Sequence, residues 1–279
     1  MKNLTILALA SSVALSQVGL AEEAKSADEI AKSLANPNTP LASITVKNQV
    51  RSFSGSLPNA SSQTGYTALL QPSFPFALDN GSLILWRPAL PIVVDQPVFN
   101  ADKLDFESEN GLGDLAFDLA YATTSEAGVM TAFGLITTLP TASSSVLGSG
   151  KWSIGPEVLV GKITDKYVLG AFPNHQWDVA GWGENSVSMT SIQLFATWLP
   201  GGGWNVGSVP ISSYDWTNSQ WNIPINLQVG KTVIWNETPW KISAEVNYYV
   251  EKSDAFGAEW MVSFNIAPVV QNALAALFK

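Results

Sequence analysis

The sequence contains no cysteine, a single histidine and few charged residues. Without cysteine the chain has neither disulfide bridges nor thiolate metal ligands, which excludes a small secreted scaffold held together by disulfides. Charged residues make up 13% of the chain, and the acidic excess gives a formal net charge of −9. We therefore expect no nucleic-acid partner, because binding nucleic acid requires a concentrated basic surface.

Long apolar runs are also lacking beyond the N-terminus. There, Lys2 precedes an apolar stretch from Leu4 to Leu15, and the small residues Gly19 and Ala21 come just before an acidic pair. This arrangement predicts a secretory signal peptide over residues 1–21. No later segment approaches the ~18 unbroken apolar residues of a transmembrane helix, so the sequence predicts an exported chain without membrane helices.

What the sequence has instead is strict alternation of apolar and polar residues. The clearest run has apolar residues at Trp240, Ile242, Ala244, Val246, Tyr248 and Val250, with mostly polar ones between them. Successive side chains of a strand point to opposite faces, so such a segment can have lipid on one side and water on the other. About twelve alternating segments follow residue 42, which predicts an all-β, antiparallel, up-and-down transmembrane barrel; ten or fourteen strands also fit.

The connections between these segments alternate in length. Long ones are predicted near residues 54–64, 94–111, 139–151, 180–186, 212–220 and 251–257. Short turns separate them, and Asn80-Gly81 is a strong hairpin signal. Outer-membrane barrels have short periplasmic turns and longer external loops, so both chain ends are predicted on the periplasmic side.

Alternation alone does not distinguish a membrane barrel from a soluble sandwich with the apolar faces inside. The positions of tryptophan favour the membrane, because the residues on the apolar face lie near strand ends, as interfacial girdles do. These residues are Trp86, Trp152, Trp198, Trp221, Trp240 and Trp260.

One short helix is predicted before the barrel. Ser26 and Glu29 fit a capping box, Ile30 and Leu34 share a face, and Asn36-Pro37 ends the helix. We expect residues 22–40 to form a leader and residues 41–279 to form the barrel. Either a mobile leader or a plug at the periplasmic mouth is compatible with this sequence.

Residues suited to catalysis or metal binding are scarce. His175 and Asp178 are three apart on a predicted strand, which places them on opposite faces, and no serine lies in a G-x-S-x-G elbow. Gly148-Ser149-Gly150-Lys151 lacks the remaining features of a phosphate-binding loop. Asp102, Asp105, Glu107 and Glu109 lack the spacing of a calcium loop. We predict no catalytic residue, no metal and no cofactor.

The polar residues opposite the apolar faces are the candidate pore lining. The predicted set is Lys47, Arg51, Arg87, Asp114, Asp118, Glu157, Asn226, Gln228, Glu245, Asn247 and Glu259. Mixed charges in a water-filled barrel can filter solutes by size and charge. Alternatively, these residues pair with one another across the interior and fill it.

Several strings in the chain are similar to those of a known family. They are GLGDL at 111–115, LPTASSSVLGSGKWSIGPE at 139–157, NHQWDVAG at 174–181, SVPISSYDW at 208–216 and NYYVEK at 247–252. With these, the chain resembles the bacterial MetA-pathway of phenol degradation family over nearly all of its mature length. The resemblance implies an outer-membrane β-barrel that passes small molecules, including aromatic ones, and brings no catalytic residues.

The predicted function is an outer-membrane channel for passive uptake of small molecules, including aromatic or hydrophobic compounds. Its expected partners are outer-membrane lipid, small solutes and the barrel-assembly machinery. Two alternatives stay open: a barrel enzyme, such as a lipid hydrolase or acyltransferase, and a structural barrel with a blocked lumen.

Overall fold

A computed structural model describes residues 26–278, with side chains described for residues 26–275, so the predicted signal peptide lies outside the described residues. Helix α1 (Ala27–Ala35) precedes fourteen strand segments. They are β1 (Ala42–Ser54), β2 (Thr64–Ala77), β3 (Leu83–Asn100), β4 (Asp105–Leu112), β5 (Leu115–Thr124), β6 (Val129–Leu139), β7 (Lys151–Ile163), β8 (Tyr167–Gly181), β9 (Ser188–Gly201), β10 (Trp204–Ser208), β11 (Ile211–Asp215), β12 (Gln220–Trp235), β13 (Thr238–Glu251) and β14 (Gly257–Val270). No helix between residues 26 and 278 has the length and apolar character needed to span a bilayer.

The sheet closes on itself, because β1 pairs antiparallel with both β2 and β14. Two places in the wall are shared by two segments each. β4 and β5 both pair with β3, while β10 and β11 both pair with β9 and β12. The fourteen segments therefore occupy twelve positions, and the predicted antiparallel barrel of about twelve strands is confirmed.

The two ends of the barrel differ in the length of their connections. At one end, here called the turn end, the connections are short and the chain enters β1 and leaves β14. Asn236 and Glu237 form one of these turns with φ values of 48° and 63°, the left-handed pair that a type I′ hairpin requires. At the other end, the loop end, lie the longer connections, including residues 55–63 and 140–150.

The second long loop is shorter than predicted. Residues 94–111 were expected to be irregular, but β3 continues to Asn100 and β4 begins at Asp105. The rings of Phe99 and Phe106, directly opposite each other, lie 5.2 Å apart and stabilise this hairpin extension. The polar composition of the segment concealed the strand, because β4 has polar or charged residues at most of its positions.

The outer face of the wall is an apolar belt between two aromatic zones. Exposed large apolar side chains cover it at mid-height, including Leu135, Val160, Leu194, Ile225, Leu227 and Val262. On β8, Tyr167 lies near the turn end and Trp177 near the loop end, both exposed. Ten residues of a tilted strand span roughly 25 Å, the height of the lipid-facing band in such barrels. This is a transmembrane β-barrel.

The inner face is partly apolar near the turn end. Leu85, Met130, Leu159, Val168 and Phe195 belong to one buried cluster, against which Ala35 of α1 packs. β3 contributes to it because its first residues are apolar on both faces, so simple alternation does not describe this strand. One wall of the barrel therefore has a hydrophobic core inside it as well as lipid outside.

The described part of the predicted leader, residues 26–40, occupies the turn end, and residues 22–25 lie outside the described residues. The capping box of Ser26 and Glu29 forms as predicted, and α1 buries Ile30 and Ala31. After the helix, Asn38 is 3% exposed and donates its amide hydrogens to the backbone oxygens of Thr123 and Thr131, at 2.8 and 3.1 Å. Of the two arrangements that the sequence allowed, the structure has the leader inside the mouth of the barrel.

Candidate functional site

A cavity of about 360 Å³ lies inside the barrel, on the loop-end side of the leader. Leader residues line it on the turn-end side, namely Leu34, Ala35, Asn36, Pro37 and Thr39, and its walls are formed by residues from β1, β2, β3, β5, β8, β9, β11, β12, β13 and β14. Five residues of the predicted pore lining border it: Lys47, Arg87, Asp118, Gln228 and Glu245. Charged groups of both signs line this cavity.

The first wall has an arginine between two carboxylates. The Arg87 Nε donates to both Asp118 carboxylate oxygens, at 2.8 and 2.9 Å. Its Nη2 is 4.0 Å from Glu157 Oε1, and the Glu157 side chain is 1% exposed. The Arg87 guanidinium also lies 5.0 Å from the centre of the Phe172 ring, which supports it from β8. Arg87 is therefore paired with Asp118 and lies near a second, buried carboxyl group.

The second wall carries two lysines. Lys47 on β1 and Lys241 on β13 both line the cavity, on either side of β14. In a twelve-position barrel β14 lies opposite β7, so the strands of the lysines lie across the lumen from the strand of Glu157. The predicted set omitted Lys241, although it has the same strand parity as Glu245, which that set includes.

An amide and carboxylate cluster joins β12 to β13. Asn226 Nδ2 donates to Glu245 Oε1 at 3.0 Å and to Asn247 Oδ1 at 2.9 Å, and Asn247 Nδ2 donates to the same Glu245 oxygen at 2.9 Å. Asn226 Oδ1 accepts the backbone N–H of Val209 at 2.6 Å. That N–H lies at the break between β10 and β11, so the side chain replaces a missing ladder bond.

Two predicted residues lie nearer the loop end. Arg51 Nη2 donates to Gln49 Oε1 at 2.7 Å, on the same inner face of β1. Glu259 lies on the inward parity of β14, two residues before the buried Met261. Gln228 instead lines the cavity and is paired with Glu245 across β12 and β13.

Asp114 holds a loop. Its carboxylate accepts the backbone N–H groups of Ala142 and Ser149, at 3.0 and 2.8 Å, and the Ser149 hydroxyl at 3.2 Å. A side chain at Gly148 would come within 2.5 Å of the same carboxylate, so that position requires glycine. The sequence indicated the strand parity of Asp114 but not its loop partners, which are 28 to 35 residues away.

His175 lies on the outer face of the barrel, away from Asp178. Its Nδ1 is 2.7 Å from the Thr190 hydroxyl, and its ring packs at 4.1 Å from that of Trp177. Asp178 faces inward, where it accepts the backbone N–H of Val187 at 2.8 Å. The two side chains are on opposite faces of β8, as their offset of three predicted.

Two of the acidic residues near residue 105 form hydrogen bonds or an ion pair with neighbouring protein groups. Asp105 accepts hydrogen bonds from the Phe106 backbone N–H and from Asn59, which lower its carboxyl pKa. Glu107 pairs with Lys103, which lowers the pKa of the glutamate. Among the described residues, no three histidine, aspartate or glutamate side chains converge in a way that could hold a metal ion.

Comparison with known proteins gives a fold but no family. No protein-family model matches the chain, and no curated protein matches it in sequence. Among solved structures, an outer membrane channel from Pseudomonas putida F1 is similar, with a TM-score of 0.63 and 14% identity over 83% of this chain and 96% of the channel. The NanC porin has a TM-score of 0.50 and 12% identity over 82% of this chain and 99% of the porin. This chain therefore has the fold of an outer-membrane channel.

Proposed function

We propose that this protein is an outer-membrane channel through which small molecules pass passively. The observation that carries the proposal is a closed wall, apolar outside, that surrounds an interior cavity lined by charged groups of both signs. Opposed charges create a field across a pore, and such a field selects solutes by charge and by the orientation of their dipoles. A barrel that served only as a scaffold would not require charged groups around an interior cavity.

The pore lining that we propose is the predicted set with two changes. Lys47, Arg51, Arg87, Asp118, Glu157, Asn226, Gln228, Glu245, Asn247 and Glu259 stay in it. Lys241 is added because it borders the same cavity. Asp114 is assigned to the loop that it binds, where it supports the shape of the loop end.

The setting of the channel is also a proposal. Residues 1–21 direct export, the barrel-assembly machinery inserts the chain, and the turn end with its leader faces the periplasm. We further propose that the chain is a member of the MetA-pathway of phenol degradation family and that its solutes include aromatic or hydrophobic compounds. The strings in the sequence support this family, and the apolar cluster inside the barrel is compatible with such solutes.

Liposome swelling tests the channel. Refolded mature protein is placed in vesicles, and swelling is followed with sugars, amino acids and phenolic acids of graded size. A channel gives rates that fall with solute size. If a barrel shown to be folded gives no swelling with any solute, the alternative of a structural barrel with a blocked lumen is correct instead. The position of the leader in the mouth is the observation that favours this alternative.

An outer-membrane enzyme is favoured by one observation. On the lipid-facing side, the Thr190 hydroxyl is 2.7 Å from the His175 imidazole and also accepts the Trp216 indole N–H at 2.8 Å. A hydroxyl beside an imidazole is the arrangement that activates a nucleophile. Phospholipid hydrolysis by the refolded protein that is lost in both His175→Ala and Thr190→Val would establish this role, and its absence leaves the channel.

A further inference from the structure

Lys47 and Lys241 have unused hydrogen-bonding capacity inside the cavity. Among the described residues, no carboxylate lies within ion-pair distance of either ammonium group. Glu245 attracts both lysines, but one of its oxygens already accepts hydrogen bonds from two asparagines. Each ammonium has three N–H groups to donate, so this wall of the cavity can accept an anion.

The strand register brings the two lysines to one region. Lys47 is opposite Asn265 on β14, which is opposite Ser243 on β13, and Lys241 lies two residues from Ser243 toward the turn end. Their backbones are thus roughly 10 Å apart across the sheet and roughly 7 Å apart along it. Lysine side chains of ordinary length can reach a common group from these positions, and the two charges repel each other when it is absent.

The cavity also has several apolar residues. Phe172 and Phe195 border it from β8 and β9, and Leu34 of the leader borders it from below. Val209 and Ile211 complete this surface at the wall break between β10 and β11. A dry cavity of ~150 Å³ can hold a benzene molecule, so a cavity of about 360 Å³ has room for a ring with a short substituent.

We propose that this cavity is a binding site for small organic monoanions, with a carboxylate between Lys47 and Lys241 and an apolar body against Phe172 and Phe195. The site deepens the proposed channel function and rests on it for its role, since it names the class of solute. On the far wall Arg87 already pairs with Asp118, so among the described residues the two lysines are the cations of this cavity without an ion-pair partner. Glu245 attracts both lysines and offsets one of their two charges, which favours a single carboxylate at one end of the molecule over a dianion.

Equilibrium binding tests the site without requiring conduction. Benzoate is added to the refolded mature protein in detergent, and binding is measured by saturation-transfer NMR and titration calorimetry. Benzamide has the same shape without the charge, and we expect it to bind at least tenfold more weakly. In the double variant Lys47→Met with Lys241→Met, we expect benzoate affinity to fall at least tenfold. Lys166→Met changes the same charge in an exposed turn and should leave benzoate affinity unchanged.

Three results would overturn the site: no benzoate binding to the folded native protein, equal affinity for benzamide, or full affinity in the folded double variant. Should the double variant fail to fold, the comparison of benzoate with benzamide on the native protein decides alone. Single-channel recording separates this site from the channel function. Benzoate binding without any conductance refutes the channel and supports the site, whereas conductance without benzoate binding supports the channel and refutes the site.

Discussion

Two neighbouring residues of β12 provide a test of which side of the wall faces lipid. Leu227 is 53% exposed on the outer face, about midway between Trp221 and Trp235. Gln228 faces the cavity and lies opposite Glu245 on β13. An arginine at position 227 would place its charge near the bilayer midplane, where it costs ~2 to 4 kcal/mol in β-barrels. We therefore expect Leu227→Arg to reduce the folding equilibrium constant roughly 30- to 900-fold.

The adjacent Gln228→Arg provides the matched control. Its side chain enters a polar cavity in which Glu245 can accept the new charge, so we expect a change within ~1 kcal/mol. Both variants are unfolded with guanidinium in lipid vesicles under reversible conditions. The guanidinium concentration at the midpoint of unfolding, and the slope of the unfolding free energy against guanidinium concentration, are compared with those of the native protein. Equal destabilisation by the two substitutions, or a larger effect at position 228, would refute the assignment of faces.

Three further outcomes follow from individual contacts. Arg87→Met leaves the Asp118 carboxylate buried without its partner and should cost ~3 to 5 kcal/mol in guanidinium unfolding; adding Asp118→Leu should restore most of that loss. The hydrogen bond and charge of Lys32 lower the pKa of Asp165, so their contact is complete above pH 3.8 and lost as the pH falls through the lowered value. Asp165→Asn removes a contact of α1 with the turn between β7 and β8, and because water screens this pair we expect only a small rise in single-channel conductance at pH 7; the native protein should approach the variant only under strong acid. Gly155→Ala would place a methyl group 1.7 Å from a carbonyl oxygen of the next strand, so we expect a loss of about 3 kcal/mol or more, or failure to refold, by gel mobility.

The number of strands was predictable because the barrel imposes a period of two on nearly every strand. In β13 the alternation runs without interruption from Trp240 to Val250, and the pairing with β14 is in register from Trp240 to Tyr248. Turn chemistry supplied independent information, since Asn80-Gly81 falls in the connection between β2 and β3. Both signals are local in sequence, and for that reason one chain was enough to find them.

The contents of the lumen were less predictable, because they depend on contacts between distant residues. Parity placed Asp114 on the inner face, but only the folded loop of residues 140–150 gives its carboxylate three donors. Likewise, β3 begins with apolar residues on both faces, which pack inside against Met130 and Leu159 as well as outside against lipid. Alternation tells which residues share a face, and it does not tell whether that face meets water, a loop or another wall.

The leader and the wall are stabilised by different interactions. The wall is a closed ladder in which every described strand except β4 pairs with at least two neighbours, whereas the leader is held by the buried Ile30 and Ala31 and by a small number of polar contacts. One of these is the ion pair of Lys32 with Asp165, whose carboxylate side chain is 93% exposed, so water screens it and it contributes little. Asn38 is the stronger anchor, since its buried amide donates to two backbone oxygens. The leader can therefore shift without any break in the barrel ladder, and we expect solute flux to depend on the stability of the leader more than on that of the wall.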